Sequence, residues 1–100
     1  MADEEPLELR PMVKAMAQAM ERKLRENDHK GGWARDSPDA LLYRLSEESG
    51  ELRRAVMTHG YFVRTRPGEP LEAAIKLVVD EAADVCNFAA MVADVVGGLK

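Results

Sequence analysis

Apolar residues recur at helical spacing in the first third of the chain. Pro11 suits the first turn of a helix, where its missing N–H leaves no hydrogen bond unmade. The adjacent Gly31 and Gly32 open a loop after the pattern stops. The spacing therefore predicts a first helix from Pro11 to about Asn27. Its apolar stripe is Val13, Met16, Met20 and Leu24, and its polar outer face is Arg22, Lys23, Arg25 and Glu26.

A second helical pattern follows this glycine loop. Ser37 is a good N-cap because its hydroxyl can accept a hydrogen bond from the first turn, and Pro38 suits the first helical position. The pattern ends near Gly60. Residues 60–70 hold two prolines and two glycines, which predicts a loop with a short extended piece over residues 61–63. The apolar positions of the helix are Leu41, Leu42, Leu45, Leu52 and Val56.

A third pattern predicts a helix from about Leu71 to Val96, ended by a pair of glycines. This helix is apolar on nearly every side, and such a helix is surrounded by protein, so we expect it at the centre of the fold. No segment alternates apolar and polar residues as a half-buried strand does. We therefore expect one all-α domain over residues 1–100, with three main helices and a flexible segment at residues 1–10.

The composition indicates a small aliphatic core. Of the 100 residues, 46% are apolar and only 5% are aromatic. A chain of this length buries only about two-thirds of its surface on folding. We therefore expect a second copy of the chain to complete the core.

Charge and cysteine content narrow the cellular setting. The net charge of −4 argues against binding to nucleic acid or to an acidic membrane. The single cysteine, Cys86, excludes an intrachain disulfide and fits a reducing compartment. No apolar run approaches the roughly 18 residues of a membrane span, and the acidic first ten residues do not read as a secretion signal. These features favour a cytoplasmic protein without a membrane or nucleic-acid partner.

An acid interrupts the core stripe of the second helix. The stripe runs through Leu45 and Leu52, and the position between them that should be apolar is Glu48. Glu51 lies one turn further on the same side, and Glu47 flanks the pair. The ordinary solvent face of this helix is already occupied by Arg44, Arg53 and Arg54. A solvated acidic face therefore explains these residues less well than usual.

The third helix repeats this anomaly. Glu81, Asp84 and Asn87 are three residues apart and form one line along a largely apolar helix. The acid at position 80 is explained separately, because Asp80 can form an i, i+4 ion pair with Lys76 on the same helix. If the two helices pack antiparallel, their acid pairs converge, and such carboxylates must be protonated or hold a metal. Carboxylate oxygens suit a hard ion, Mg²⁺ or Mn²⁺.

Other metal sites fit less well. A di-iron bundle would need Glu-x-x-His on the inward helix faces, and neither acid pair ends in histidine. His29 and His59 lie near predicted loops and lack zinc-ligand spacing.

Several motifs in order resemble one family, the all-α nucleoside triphosphate pyrophosphohydrolases, and within it the MazG-like branch. The motifs are HKGGW at residues 29–33, LxxLxEExxEL at residues 42–52, ExxD at residues 81–84 and DVxNF at residues 84–88. The resemblance covers the chain from about Val13 to Val95.

This resemblance implies Mg²⁺-dependent hydrolysis between the α and β phosphates of a nucleoside triphosphate. The products would be a nucleoside monophosphate and pyrophosphate. By position, the metal ligands would be Glu48, Glu51, Glu81 and Asp84. Members of the family generally build four-helix cores from two chains, so a homodimer or higher oligomer is implied.

General chemistry adds further candidates to this site. A carboxylate near the metal can take a proton from the attacking water, and Glu47 and Glu48 remain equal candidates for that base. Lys30 and Lys76 are candidate phosphate ligands. Trp33 could stack on a base or pack as a lid on the core. Asn87 could bind metal or a ribose hydroxyl, or satisfy a backbone carbonyl.

Two other classes of function remain open. A non-catalytic helical interaction module would bury the third helix against a second copy. Its acids would then pair between chains with Arg53, Arg54, Arg64 and Arg66. A nucleic-acid-binding variant would use residues 10–35, which carry seven basic and three acidic residues.

Overall fold

The computed structural model describes residues 6–99 and is helical, with no strand in that range. Three α-helices follow one another: α1 (Pro11–Glu26), α2 (Pro38–Thr65) and α3 (Glu72–Val95). A short 3₁₀ turn, Asp28–Lys30, follows α1. The prediction of an all-α chain with three main helices is confirmed.

The helix ends lie near the residues that signal them. The Ser37 hydroxyl accepts a hydrogen bond from the Ala40 N–H at 3.1 Å, as an N-cap does. After α3, Gly97 adopts a φ of +86°, a left-handed conformation that glycine reaches at little cost. Its N–H donates to the Asp94 carbonyl at 2.9 Å, which satisfies one of the free carbonyls at the helix end.

The second helix continues beyond its predicted end. Residues 61–63 are helical and not extended, and α2 passes through Gly60 to Thr65. A glycine inside a helix costs only about 1 kcal/mol, so the neighbouring hydrogen bonds can outweigh it. The helix ends before Pro67, because a residue that precedes proline avoids helical geometry. Arg66 accordingly has a φ of −132° and a ψ of 57°.

Helix α3 lies between the other two helices. It packs against both α1 and α2, whereas α1 and α2 make no close backbone approach to each other in the described range. The third helix is therefore central among residues 6–99, as predicted, but it is not surrounded by protein, because Ile75, Leu77 and Val79 are exposed. A connection of six residues, 66–71, joins α2 to α3. Glu48 lies near Glu81 while the earlier Arg44 lies near the later Phe88, so the two helices run antiparallel.

The core of the single chain is small. Among residues 6–99, no large side chain is fully buried. The radius of gyration is 16.2 Å, whereas a compact domain of 100 residues has about 13 Å. The folded chain is therefore elongated and not compact, and it leaves many apolar side chains exposed to solvent. The buried residues are Ala19, Leu41, Ala55, Ala83 and Asn87.

The predicted flexible segment at residues 1–10 lies partly outside the described residues, which begin at Pro6. Residues 6–10 are exposed and have no regular secondary structure. Across the described part of the chain, no helix has the length and apolar character needed to cross a membrane.

Candidate functional site

Three carboxylates meet where α2 packs against α3. Glu48 and Glu51 are one turn apart on α2, and Glu81 faces them from α3. Each residue offers one oxygen, and the three oxygens lie within 4.8 Å of one another. The packing of the two helices thus brings together three of the four predicted ligands, in an arrangement that could hold a metal ion. We call these three residues the glutamate cluster.

Part of the cluster is withdrawn from water. In the described structure, Oε2 of Glu48 and Oε2 of Glu81 are buried and lack a hydrogen-bond partner. Burial, reinforced by the nearby Glu51 carboxylate, raises the pKa of Glu48 to about 7 and also raises the pKa of Glu81. The cluster therefore holds protons or a cation more readily than an ordinary surface group of acids does.

Asp84 lies beside the cluster but has a separate partner. Its Oδ2 lies 3.7 Å from Nζ of Lys23, which belongs to α1. Burial raises the pKa of Asp84, and the Lys23 ammonium opposes that rise. The sequence pattern placed Lys23 on the outer face of α1. That prediction is wrong, because the Lys23 side chain is only 22% exposed and points towards α3.

Glu47 is separated from the cluster although it is adjacent to Glu48 in sequence. It is exposed, and its Oε1 lies 3.6 Å from Nε of Arg44. Arg44 in turn lies over the Phe88 ring, 5.0 Å from its centroid. Of the two candidate bases, the structure places Glu48 in the cluster and Glu47 outside it.

A pocket of about 470 Å³ adjoins the cluster. Glu48 and Asp84 line its acidic side. The other sides combine positive charge with an aromatic surface, which suits an anionic ligand that has an aromatic part. These other lining residues include Lys23, Lys30, Arg44, Trp33 and Phe88.

Trp33 is fixed at the rim of this pocket. Its Nε1–H donates a hydrogen bond to Oδ2 of Asp94 at 2.9 Å. The side chain is partly exposed, and the Gly31 and Gly32 that precede it also line the pocket. Trp33 is thus held beside the pocket by a hydrogen bond that joins the loop after α1 to the end of α3.

Asn87 is the one buried polar residue among those described, at 5% exposure. Its Nδ2 donates a hydrogen bond to the Met20 carbonyl at 3.0 Å, which ties α3 to α1. Its Oδ1 is buried and lacks a partner in the described structure. Asn87 therefore satisfies a backbone carbonyl and retains an unused acceptor where it lines the pocket.

The two predicted phosphate ligands differ in position. Lys30 is exposed and lines the pocket. Lys76 lies on the outer surface, where its Nζ is 2.7 Å from Oδ2 of Asp80. The local ion pair therefore accounts for Lys76.

Sequence reasoning missed Lys23, and one signal could have found it. Lys23 follows Met16 by seven residues, which is close to two helical turns, and it follows the buried Ala19 by four. It therefore shares the face of α1 that packs on α3.

Comparison with known proteins gives no match to any family model, curated protein or solved structure.

Proposed function

We propose that the chain is a nucleoside triphosphate pyrophosphohydrolase that uses Mg²⁺ or Mn²⁺. It cleaves its substrate between the α and β phosphates and releases a nucleoside monophosphate and pyrophosphate. The observation that carries this proposal is the convergence of the glutamate cluster, within 4.8 Å, beside a pocket lined by cationic and aromatic side chains. We place the enzyme in the cytoplasm, in keeping with the free thiol of Cys86.

The residues present fit a divalent cation. The donors are carboxylate oxygens, which Mg²⁺ and Mn²⁺ prefer, and two of these oxygens are buried without a partner. Glu48, Glu51 and Glu81 would hold the ion, with Asp84 as a further ligand. When bound, the ion supplies charge neutralisation for the phosphates and lowers the pKa of water.

Glu48 is the residue best suited to accept the proton of the attacking water. A general base must lie within reach of the proton that it takes, and Glu48 both belongs to the glutamate cluster and lines the pocket. Glu47 lies outside the cluster beside Arg44. We therefore assign the base to Glu48 and a surface role to Glu47.

The pocket accounts for binding of the rest of the nucleotide. Trp33 offers an aromatic face on which a base can stack. Lys30 and Arg44 provide positive charge for phosphate oxygens. Asn87 offers its free Oδ1 as an acceptor. The outer position of Lys76 removes it from this set.

We further propose that two copies associate to form a four-helix core. Leu42, Val56 and Val63 recur on one face of α2 at multiples of seven residues, and each is about half exposed. Ile75 and Val79 form a second exposed apolar stripe on α3. Because the single chain buries no large side chain within residues 6–99, a second copy offers matching apolar surface through an isologous contact.

Light scattering after gel filtration tests the association. We expect the chain to have a mass at least twice its monomer mass of 11.1 kDa. Val56→Glu should yield the monomer, whereas Glu69→Lys, at an exposed position in the loop between α2 and α3, serves as a charge control. A monomeric parent protein would contradict the four-helix core.

Release of pyrophosphate tests the activity. A panel of common and modified nucleoside triphosphates is incubated with the protein and Mg²⁺, with Glu48→Gln as the inactive variant and Glu69→Gln as the control. We expect cleavage of at least one substrate by the parent and by Glu69→Gln. Absence of cleavage across the panel would overturn the proposal. If divalent cations also failed to bind, the helical interaction module would be favoured.

A further inference from the structure

Lys23 reaches from α1 into the group of acids formed by α2 and α3. Its Nζ lies 3.7 Å from Oδ2 of Asp84 and 3.4 Å from Oε2 of Glu26. Burial tends to lower the pKa of Lys23, but the carboxylates of Asp84 and Glu26 outweigh it and raise the pKa. The ammonium is therefore charged, and it is held between two acids.

This ion pair differs from the other lysine–aspartate pair in position. Lys76 is 76% exposed and pairs with Asp80 on the same helix. The Lys23–Asp84 pair joins two helices, and both side chains are only 22% exposed. Low exposure reduces screening by water and salt, so the Lys23 charge acts strongly on its surroundings.

The position of Lys23 matters for the fourth candidate ligand. Asp84 is the member of the predicted ligand set that already has a cationic partner. A divalent ion that recruits Asp84 must displace the ammonium, because two cations at such short range repel each other. Lys23 lines the same pocket as Lys30 and Arg44, so a displaced ammonium remains beside the phosphate-binding region.

A second observation in this pocket points to a ligand. Asn87 is 95% buried, since its exposure is 5%, and its Oδ1 has no partner in the described structure. It lines the pocket together with Lys23 and Asp84. Such an acceptor is costly unless a donor reaches it.

We propose that Lys23 is an internal counter-cation, which holds Asp84 in the metal-free chain and yields it to the incoming divalent ion. The released ammonium then pairs with the phosphates of the nucleotide. This inference rests on the proposed function, because it assumes that the acids hold a metal. Lys23 is thus a positioning residue for Asp84 in the metal-free chain and a contact for the substrate once the metal is bound.

Titration calorimetry with Mn²⁺ alone, on the full chain, tests the first half of this inference. Lys23→Met keeps the length of the side chain and removes its charge, and we expect Mn²⁺ to bind about tenfold more tightly to it. Arg25→Gln removes an equal charge from the exposed Arg25–Glu21 pair on the same helix. It should change the affinity by less than about twofold, because exposed charges are screened. Circular dichroism confirms that each variant is folded.

A double-mutant cycle shows whether Lys23 acts through Asp84. In an Asp84→Asn background, we expect Lys23→Met to change Mn²⁺ affinity no more than Arg25→Gln does. An equal gain in both backgrounds would mean that only long-range charge is involved, and it would overturn the inference. The inference would also be overturned if Lys23→Met, made in the parent protein, increased Mn²⁺ affinity no more than Arg25→Gln does.

The second half is tested by kinetics. Lys23→Met should raise the KM for the nucleoside triphosphate, whereas the KM of Lys23→Arg should stay close to that of the parent because arginine keeps the positive charge. An unchanged KM would exclude the phosphate contact.

These results separate the two proposals. If Mn²⁺ binds as expected but no nucleotide is cleaved, the proposed function fails and the exchange at Asp84 stands. If nucleotides are cleaved and Lys23→Met shows no gain in affinity, only the counter-cation inference fails. If neither the parent nor Lys23→Met binds Mn²⁺ at millimolar concentration, the proposed function and the counter-cation inference are both wrong.

Discussion

Nε1 of Trp33 lies 2.9 Å from Oδ2 of Asp94, which ties the loop after α1 to the last turn of α3. The two residues are 61 positions apart in sequence. Gly31, two residues before Trp33, has a φ of +88°, which glycine adopts at little cost. The indole hydrogen bond adds a long-range restraint to the local backbone hydrogen bonds of this loop, such as the one from the Asp36 N–H to the Trp33 carbonyl at 2.9 Å.

Loss of this hydrogen bond should free the loop. We expect Asp94→Ala to lower the free energy of unfolding by about 1–2 kcal/mol, near the lower end of the values for hydrogen bonds to charged groups, because this pair is only partly buried. The freed indole should become more exposed to water, so its fluorescence should shift to longer wavelength. The signal can be assigned to Trp33 because it is the single tryptophan. Glu69→Gln, in the loop between α2 and α3, should change neither signal. An unchanged spectrum in Asp94→Ala would show that packing alone holds the indole.

The fold was largely predictable because its helix boundaries have local signals. Ser37, Pro38 and Gly97 act within their own turns, so the sequence pattern located them. Gly60 was misjudged, because whether a glycine ends a helix depends on the hydrogen bonds around it. Thr65 Oγ1 donates to the Tyr61 carbonyl at 2.9 Å, and Arg66 lies over the Phe62 ring. These contacts are not visible in a periodic pattern.

The site was predictable only in part, for a similar reason. Glu48, Glu51 and Glu81 converge because helical spacing and antiparallel packing suffice to bring them together. The partner of Asp84 depends on how α1 crosses α3, and the partner of Trp33 depends on the path of a loop. Neither relationship has a sequence period, so only the three-dimensional structure reveals them.

Removal of one acid should stabilise the metal-free chain. In EDTA we expect Glu48→Gln to raise the free energy of unfolding by about 1 kcal/mol at neutral pH, because it relieves repulsion in a cluster that water screens in part. Chemical denaturation measures the change. The neighbouring Glu47→Gln should stay within about 0.5 kcal/mol of the parent, as exposed substitutions usually do. A clear loss of stability in Glu48→Gln would show that this carboxylate forms a favourable ion pair instead.

The same acids give the metal-free chain a particular pH dependence. Folding raises the pKa of Glu48 from its ordinary 4.5 to about 7, so the native state binds more protons than the unfolded state between these values. Stability therefore falls as the pH rises through this window. The raised pKa values of Glu81 and Asp84 act in the same direction. We expect a higher melting temperature at pH 5 than at pH 7.5 in EDTA, with a smaller difference in Glu48→Gln. Equal slopes in the two proteins would assign the effect to other groups.

Divalent cations should reverse this loss at neutral pH. A ligand that binds only the native state at about 100 times its Kd adds about 2.7 kcal/mol of stability, which corresponds to a rise of roughly 10 °C or more for a domain of this size. Thermal melts with Mg²⁺ or Mn²⁺, compared with NaCl at equal ionic strength, measure the shift. Glu81→Gln should reduce it strongly and Glu47→Gln should retain it. A shift of equal size in NaCl would indicate screening and not a site.

The most buried of the described residues should tolerate the least added volume. Ala83 has no exposed surface and lies on the central helix α3, so a longer side chain there would have to push a neighbouring helix away. Overpacking of this kind costs about 1–3 kcal/mol, and we expect Ala83→Leu to lower the free energy of unfolding by that amount. Ala73→Leu, at an exposed position of the same helix, should be nearly neutral.

Because Ala83 lies one residue before Asp84 and two after Glu81, displacement of the helices would also separate the acids. Ala83→Leu should therefore lower both the free energy of unfolding and the affinity for Mn²⁺. If Ala83→Leu is less stable but binds Mn²⁺ as tightly as the parent, the positions of the ligands do not depend on the spacing between these helices.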